Sequence, residues 1–396
     1  MPLDFFARQL GADRKSSADS PIEVEETQRE SVESLGSAKT TRIPQPLLYR
    51  IAKLLILTSA VLFLLSYPFQ LSTFKDSFQH AYRRFTAVKI SGQEQKEWCT
   101  FAIMCGTGDT DTVSEMRPLL VSAILLSTCR LHFIFLTDED GAGRVHEMFA
   151  KNLTTADKPI RVDIMVISTE WIDEKALKIK LDPHGHHSGS WGTGKLLLPW
   201  ILQDLDRVIV IDSDMIFLDD PASLWAQFDD DGTWAYKMPL FDRSKSSNIC
   251  SCVVLMDIQK IRQVRAYPDL FSSVLHSHPE WRNETSLNYV PPHGDQGVYF
   301  GLMKSHPKLV NSLDDRFNVD HCHGYYGALR NSSSKMVSIL HKNCESRRHA
   351  LDAAGNLFFD FYSAYKWQWL KGLEDTGYPV TVNMISHETS RNSSTV

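Results

Sequence analysis

Cysteine is absent from the first 98 residues and asparagine from the first 50. All seven cysteines (99, 105, 129, 250, 252, 322 and 344) therefore fall in the later part of the chain, a distribution that fits exposure of that part alone to an oxidising compartment. Four Asn-x-Ser/Thr acceptor sequences, at Asn152, Asn283, Asn331 and Asn392, lie in the same part, although the asparagine-free start offers nothing to compare them with. An odd number of cysteines leaves at least one thiol free or paired outside the chain. Long basic runs are missing too. Lys and Arg number 42 against 48 Asp and Glu, a net charge of −6, which argues against nucleic acid as a partner. There is no internal repeat. Apolar residues at 43% and charged residues at 23% exclude a fibrous or wholly disordered chain, and 396 residues suffice for one large domain with appendages.

One stretch lacks charge almost entirely. Residues 51–71 carry only Lys53, and 21 residues at ~1.5 Å each reach about 31 Å, the thickness of a bilayer's hydrocarbon core. A buried core helix would show a polar stripe, and none interrupts the run between Leu54 and Leu65. A cleaved signal peptide would begin close to the N-terminus, whereas fifty largely polar residues come first. The expectation is one transmembrane helix. Lys39, Arg42 and Arg50 precede it, Lys53 stands at its start, and Lys75, Arg83 and Arg84 follow it, too even a balance to set orientation. The cysteines and sequons favour a lumenal C-terminal part, that is, a single-pass type II protein of the Golgi or ER membrane. The expected order is a disordered cytosolic tail (1–50), a signal-anchor (51–71), a stem (72–97), a catalytic domain (98–380) and a C-terminal tail (381–396).

From Trp98 onward, short apolar runs alternate with helical patterns, the mark of an α/β fold. Strands are expected at 100–105, 131–137, 161–167, 207–211 and 252–256, several of them continuously apolar, as in a sheet covered on both faces. A helix is expected at 116–126. Phe358, Phe361, Tyr362, Tyr365 and Trp369 stand at helical spacing and read as core. Residues 229–250 and 270–292 read as variable surface loops.

In such a sheet, ligands bind beyond the carboxyl ends of the strands. Of five Asp-x-Asp triplets, at 109/111, 138/140, 204/206, 212/214 and 229/231, only Asp212 and Asp214 directly follow a long apolar strand. Their spacing turns both carboxylates to one side, an arrangement suited to a divalent cation.

The surrounding run SWGTGKLLLPWILQDLDRVIVIDSDMIFLDDPASLWAQF (190–228) resembles the donor-site segment of glycosyltransferase family 8, the retaining GT-A enzymes. CTFAIMCGTGD (99–109), HGDQGVYF (293–300) and SILHKNCESRR (338–348) resemble that family's nucleotide loop, Gly-Asp-Gln motif and C-terminal metal-histidine segment. The resemblance covers roughly residues 98–370 and is nearest to the glucoside and xyloside xylosyltransferases and the xylosyltransferase domain of LARGE-type matriglycan synthases. It implies a single Rossmann-like GT-A domain that transfers a sugar from a UDP-sugar, with UDP-xylose favoured over UDP-glucose or UDP-galactose, to a glycan or glycoprotein. Asp212, Asp214 and His341 would hold Mn²⁺, with Mg²⁺ also compatible. Cys105, Gly106, Lys195, Asp212, Ser213 and Arg347 would bind the donor, and Asp295 and Gln296 would face the reacting sugar. One departure stands out. Cys250-Ser251-Cys252 replaces the family's usual Asn-Ser-Gly, removing an amide and a glycine from the sugar's side.

Two rival readings remain. An inactive glycan-binding or partner protein would keep the fold and lose turnover through the Cys-Ser-Cys change. A phosphatase of the haloacid-dehalogenase type also ends a strand with Asp-x-Asp, but places it on its first strand, with Thr or Val close behind the second Asp.

Overall fold

The structure, a computed structural model, describes residues 98–107, 112–153, 155–156, 158–186, 188–229, 232–240, 249–264, 269–320, 337–342, 362–364 and 378–386. The expected tail, membrane segment at 51–71 and stem lie outside the described residues, as do Arg347, Asn331, Asn392, Phe358, Phe361, Tyr365 and Trp369. Tyr362 is described and buried. Among the described residues, no helix is long and apolar enough to cross a membrane.

A nine-stranded mixed sheet organises the described residues. Its centre is a run of five parallel strands in the order β12 (Tyr378–Ser386), β4 (Ile160–Val166), β2 (Arg130–Thr137), β1 (Trp98–Met104) and β5 (Arg207–Ile211). Beyond β5 follow β8 (Val253–Asp257), antiparallel, then β7 (Tyr236–Pro239) and β9 (Val310–Leu313). The two-residue β3 (Thr155–Ala156) pairs with the far side of β12. A smaller sheet joins β6 (Met215–Phe217), β11 (Ile339–His341) and β10 (Val319–Asp320).

Side chains on these strands alternate between two cores. Phe101, Ile103, Phe133, Phe135, Ile209 and Ile211 enter one. Ala102, Met104, Ile134, Leu136, Val208 and Val210 enter the other. Two apolar faces explain why the runs read as continuous rather than alternating.

Helices cover these faces. In α1 (Arg117–Leu126), Pro118 stands in the first turn, where its missing N–H costs nothing, and residues from Leu119 to Ile124 are buried. Helix α2 (Glu139–Asn152) starts at Asp138, whose carboxylate accepts from Gly141 N at 2.7 Å. Helix α3 (Thr169–Lys178) is capped in the same way by Ser168. Further along come α4 (Gly189–Gly194), α5 (Asp269–His276) and α6 (Asp295–Ser305).

The five expected strands and the helix at 116–126 all form, with ends moved by a few residues. Three boundaries need correction. The expected loop 229–250 contains β7, whose four residues are all buried between β8 and β9. The expected tail from 381 is in its first six residues part of β12, where Val380 and Val382 pack against the core while Tyr378 and Met384 face outward. Within the expected loop 270–292, residues to His276 belong to α5, because Leu270, Phe271, Val274 and Leu275 recur at helical spacing and are all buried.

A buried polar network ties the parallel strands together. The Asp163 carboxylate accepts from Arg161 Nε at 3.1 Å, lies 2.6 Å from the Arg161 terminal nitrogen and accepts from Asn383 Nδ2 at 2.6 Å. His132 Nε2 stands 2.9 Å from the same carboxylate, and its Nδ1 is 3.3 Å from Thr100 Oγ1. These contacts run across β1, β2, β4 and β12. A disulfide joins Cys99 to Cys129, a second joins Cys250 to Cys252, and Cys105 is a buried free thiol.

Candidate active site

Strand β5 delivers Asp212 at its carboxyl end, and the turn Asp212-Ser213-Asp214 leads directly into β6. Main-chain bonds hold that turn from both sides. Asp212 N donates to Cys252 O at 3.0 Å, and Lys342 N donates to Asp214 O at 3.0 Å. Because β11 runs antiparallel to β6 with His341 opposite Met215, the histidine reaches the two aspartates across the small sheet. His341 Nε2 lies 3.3 Å from Asp214 Oδ1. Its Nδ1 is 3.1 Å from the amide oxygen of buried Asn318, which can only accept, so this contact calls for a proton on Nδ1 and leaves Nε2 as the nitrogen turned toward the aspartates. Donor atoms of Asp212, Asp214 and His341 all lie within 4.8 Å of one another. Two carboxylate oxygens and one imidazole nitrogen at that spacing fit a hard or borderline divalent cation.

The charges around this trio are arranged with care for burial. The Lys195 ammonium is 2.5 Å from Asp212 Oδ1 and donates to Ser251 O at 3.3 Å. Burial pulls the Lys195 proton affinity down, but Asp212, Asp295 and Asp214 more than reverse this, and it ends above the ordinary lysine range. Partial burial pushes Asp212 up despite Lys195, whereas Asp214, likewise half-buried, is held low by its charge interaction and hydrogen bond with His341. The pair thus divides into one carboxyl that keeps its proton more readily and one that gives it up.

Asp295 is the first residue of α6 and is buried 4% exposed, in electrostatic reach of Lys195 and Asp212. Burial raises its proton affinity against the opposing pull of Lys195 and a hydrogen bond with Ser251. Its Oδ2 meets no hydrogen-bond partner among the described residues. The preceding Gly294 has φ +62°, and a Cβ there would sit 2.9 Å from His186 Nδ1, so the turn needs glycine twice over. Gln296 is half-buried beside it.

The loop after β1 completes this end of the sheet. Gly106 exchanges hydrogen bonds with the Thr112 hydroxyl at 2.9 and 3.0 Å. Thr107 binds Asp138 through its amide at 2.8 Å and its hydroxyl at 3.0 Å. A Cβ on Gly106 would fall 2.2 Å from Trp191 Nε1, so this glycine is what lets the α4 indole lie against the loop. The Cys105 side chain packs in the core, where burial pushes its thiol up to about 12, leaving only its backbone to offer a ligand.

No family model matches the chain. Xylosyl- and glucuronyltransferase LARGE1 of Homo sapiens is 31% identical over 247 residues, 57% of this chain and 30% of the relative. Glucoside xylosyltransferase 2 of Xenopus laevis is 23% identical over 313 residues, 68% of this chain and 67% of the relative. The chain is similar in sequence to glycosyltransferases. It spans about a third of the length of the LARGE-type relatives it matches. Among solved structures, mouse xyloside xylosyltransferase 1 in its apo form has a TM-score of 0.48 at 15% identity, covering 63% of this chain and 99% of that one. The names of the two sequence relatives agree with the resemblance carried by the Asp212 segment.

The structure therefore brings together Lys195, Asp212, Asp214, Asp295 and His341, with Ser213 buried in the turn between the aspartates. Of the described sequons, Asn283 is exposed in a turn, where its Oδ1 accepts from Thr285 N and Ser286 N, and Asn152 ends α2. Sequence reasoning missed three participants. Asn318 lies 23 residues before His341 with no motif to mark it. Trp191 stands inside the glycosyltransferase-like run, but its task depends on the side-chain-free Gly106 opposite. Ser251 works through its carbonyl toward Lys195, which no side-chain pattern reveals.

Proposed function

We propose that the chain is a metal-dependent retaining glycosyltransferase of the GT-A type. The observation that carries this reading is the convergence of Asp212, Asp214 and His341 on one point, with Lys195 beside it, at the carboxyl end of β5. A cation held there, Mn²⁺ by its mixed oxygen and nitrogen donors, supplies positive charge to a departing diphosphate. Asn318 keeps His341 in the tautomer able to ligate. Lys195 neutralises Asp212 and extends the positive field toward the donor. Gly106 and the backbone of Cys105, together with Trp191, form the side on which a nucleotide rests, and Arg347 and Ser213 join the donor's binding. Asp295 and Gln296 face the sugar: the unpartnered Asp295 Oδ2 suits a sugar hydroxyl, a buried acceptor being costly to leave unmatched.

The favoured donor is UDP-xylose, supported by the xylosyltransferase names of the relatives, and the acceptor is a glycan or glycoprotein. Residues 51–71 would anchor the protein as a type II membrane protein of the Golgi or ER with its catalytic part in the lumen. Disulfides at Cys99–Cys129 and Cys250–Cys252 support an oxidising compartment, as does the exposed Asn283 sequon. The test is UDP release by the full-length chain with each UDP-sugar, in Mn²⁺ and in EDTA, together with calorimetric titration of UDP. Turnover should be fastest with UDP-xylose and vanish in EDTA. Asp214→Asn should lose UDP and Mn²⁺ affinity together, and unchanged UDP affinity in that folded variant would sink the metal assignment.

A further inference from the structure

The segment Cys250-Ser251-Cys252 runs through the middle of the polar cluster. Cys252 O receives Asp212 N, Ser251 O receives Lys195 Nζ, and Cys250 N donates to Pro239 O at 3.2 Å. Donor atoms of Cys250, Cys252 and His341 lie within 4.8 Å of one another, and all three residues are buried. His341 thus belongs to two possible sets of ligands, one with the aspartates and one with the sulfurs. In the structure the two sulfurs are bonded to each other. That bond closes a loop with a sequence separation of only 2, against 30 for Cys99–Cys129, so it removes little freedom from the unfolded chain. A cross-link that does little for the fold, set against a metal-competent histidine, is better explained by its location.

We infer that Cys250, Cys252 and His341 form, once the disulfide is reduced, a binding site for a soft or borderline divalent cation such as Zn²⁺, in competition with the aspartate site for His341. The chemistry balances simply. A dithiol gives two electrons to the Cys250–Cys252 bond and closes to its own disulfide, and its two protons pass to the protein sulfurs. A divalent cation then displaces both protons, because the thiolate is the ligand. With Zn–S near ~2.3 Å, tetrahedral geometry asks for sulfurs roughly 3.8 Å apart. The Cα atoms are 5.2 Å apart, so side-chain rotation supplies the opening without moving the backbone that holds Asp212 and Lys195. Two thiolates and an imidazole leave a fourth position for water, a set that zinc accepts.

As a disulfide the sulfurs are poor ligands, and His341 remains with Asp212 and Asp214 for a hard cation. As a dithiol they outbid the carboxylates for a soft one. The oxidation state of one cross-link then selects which cation this corner of the molecule holds. The inference shares His341 with the transferase reading but does not rest on it, since it concerns metal binding alone.

Co²⁺, a spectroscopic substitute for zinc, tests it on the full-length chain reduced by a trialkylphosphine, which takes up an oxygen from water as it donates two electrons. Reduced wild type should show a thiolate-to-cobalt charge-transfer band in the near ultraviolet, and the oxidised protein should not. Cys250→Ser/Cys252→Ser should abolish the band, Cys99→Ser/Cys129→Ser should retain it, and His341→Ala should weaken Co²⁺ binding at least tenfold. Zn²⁺ loading of the reduced wild type should likewise weaken Mn²⁺ binding at least tenfold by electron paramagnetic resonance. A second measurement needs no variant: Zn²⁺ should protect Cys250 and Cys252 of the reduced wild type from iodoacetamide. Absence of the band in reduced wild type, its survival in Cys250→Ser/Cys252→Ser, or alkylation of both cysteines despite Zn²⁺ would overturn the inference, whatever the outcome of the UDP-release assay.

Discussion

Lys195 Nζ lies 2.5 Å from Asp212 Oδ1, so a cation built into the protein already stands against a carboxylate proposed to hold a cation from outside. Lys195 is 9% exposed, and its ammonium faces three carboxylates, Asp212, Asp295 and Asp214. Its role is as much to keep that cluster folded as to meet a ligand.

Lys195→Met should therefore destabilise the chain markedly. Removing one partner of a fully buried pair costs about 3–5 kcal/mol, but the Asp212 side chain keeps 29% of its surface exposed, so a loss of about 2–3 kcal/mol is expected here. For a domain of roughly 280 residues that is a fall of about 3–5 °C in the melting temperature. Mn²⁺ should restore part of the loss by replacing the missing positive charge. Thermal melts of both proteins with and without Mn²⁺ check this; a variant that melts like wild type in EDTA would contradict it.

Asn318 acts at one remove. Its amide oxygen fixes the proton of His341 on Nδ1, and loss of such a partner typically weakens metal binding about 10–100-fold. Asn318→Ala should show that loss in a Mn²⁺ titration while Asp212 and Asp214 are untouched. An equal affinity would mean that His341 needs no orientation or takes no part.

The Asp163 network should give the fold a dependence on acid. Burial raises the Asp163 proton affinity, but hydrogen bonds from His132, Arg161 and Asn383 hold it well below the usual carboxylate range. A carboxyl depressed in the folded state contributes stability above its unfolded value, near ~3.9, and that stability is lost as pH falls toward the folded value. Urea unfolding of wild type should weaken steadily below about pH 4. Asp163→Asn, being unable to ionise, should start lower at pH 7 and decline less over the same range, and parallel curves would remove Asp163 from the account.

How much of this was readable beforehand follows from what each residue does. Asp212 and Asp214 stood out because a core strand has no other reason to end in two acids, and the five long strands stood out because burial on both faces leaves an apolar run. Strand β12 did not, since TVNM at the edge of a sheet alternates and reads as a polar tail. Helix α5 was hidden among polar neighbours although its four buried residues keep helical spacing. The Cys250–Cys252 bond was unreadable, because seven cysteines permit many pairings and only folding selects one.

Gly106 gives a further test. A side chain there must displace the Trp191 indole, so Gly106→Val should cost about 1–3 kcal/mol of stability through overpacking. If the nucleotide rests on this side, UDP affinity should fall as well. Gly106→Val should destabilise the Trp191→Ala protein less than it destabilises wild type, read by urea unfolding, and an equal cost in both backgrounds would mean that the clash lies elsewhere.

Strand β12 also decides when the molecule can finish folding. It pairs in parallel with β4, so Asn383 meets Asp163 across 220 positions of chain. Contacts so distant form slowly, since the loop between them must close before any bond repays it. During synthesis, β4 leaves the ribosome long before its neighbour and waits as an open edge, with a depressed carboxyl lacking one of its donors. Such an edge invites other strands, including those of nascent copies of the same chain. A chaperone that shields β4 until residues 378–386 arrive would govern the yield of native protein, and a premature stop anywhere before β12 would release a chain bound for aggregation rather than a shortened enzyme.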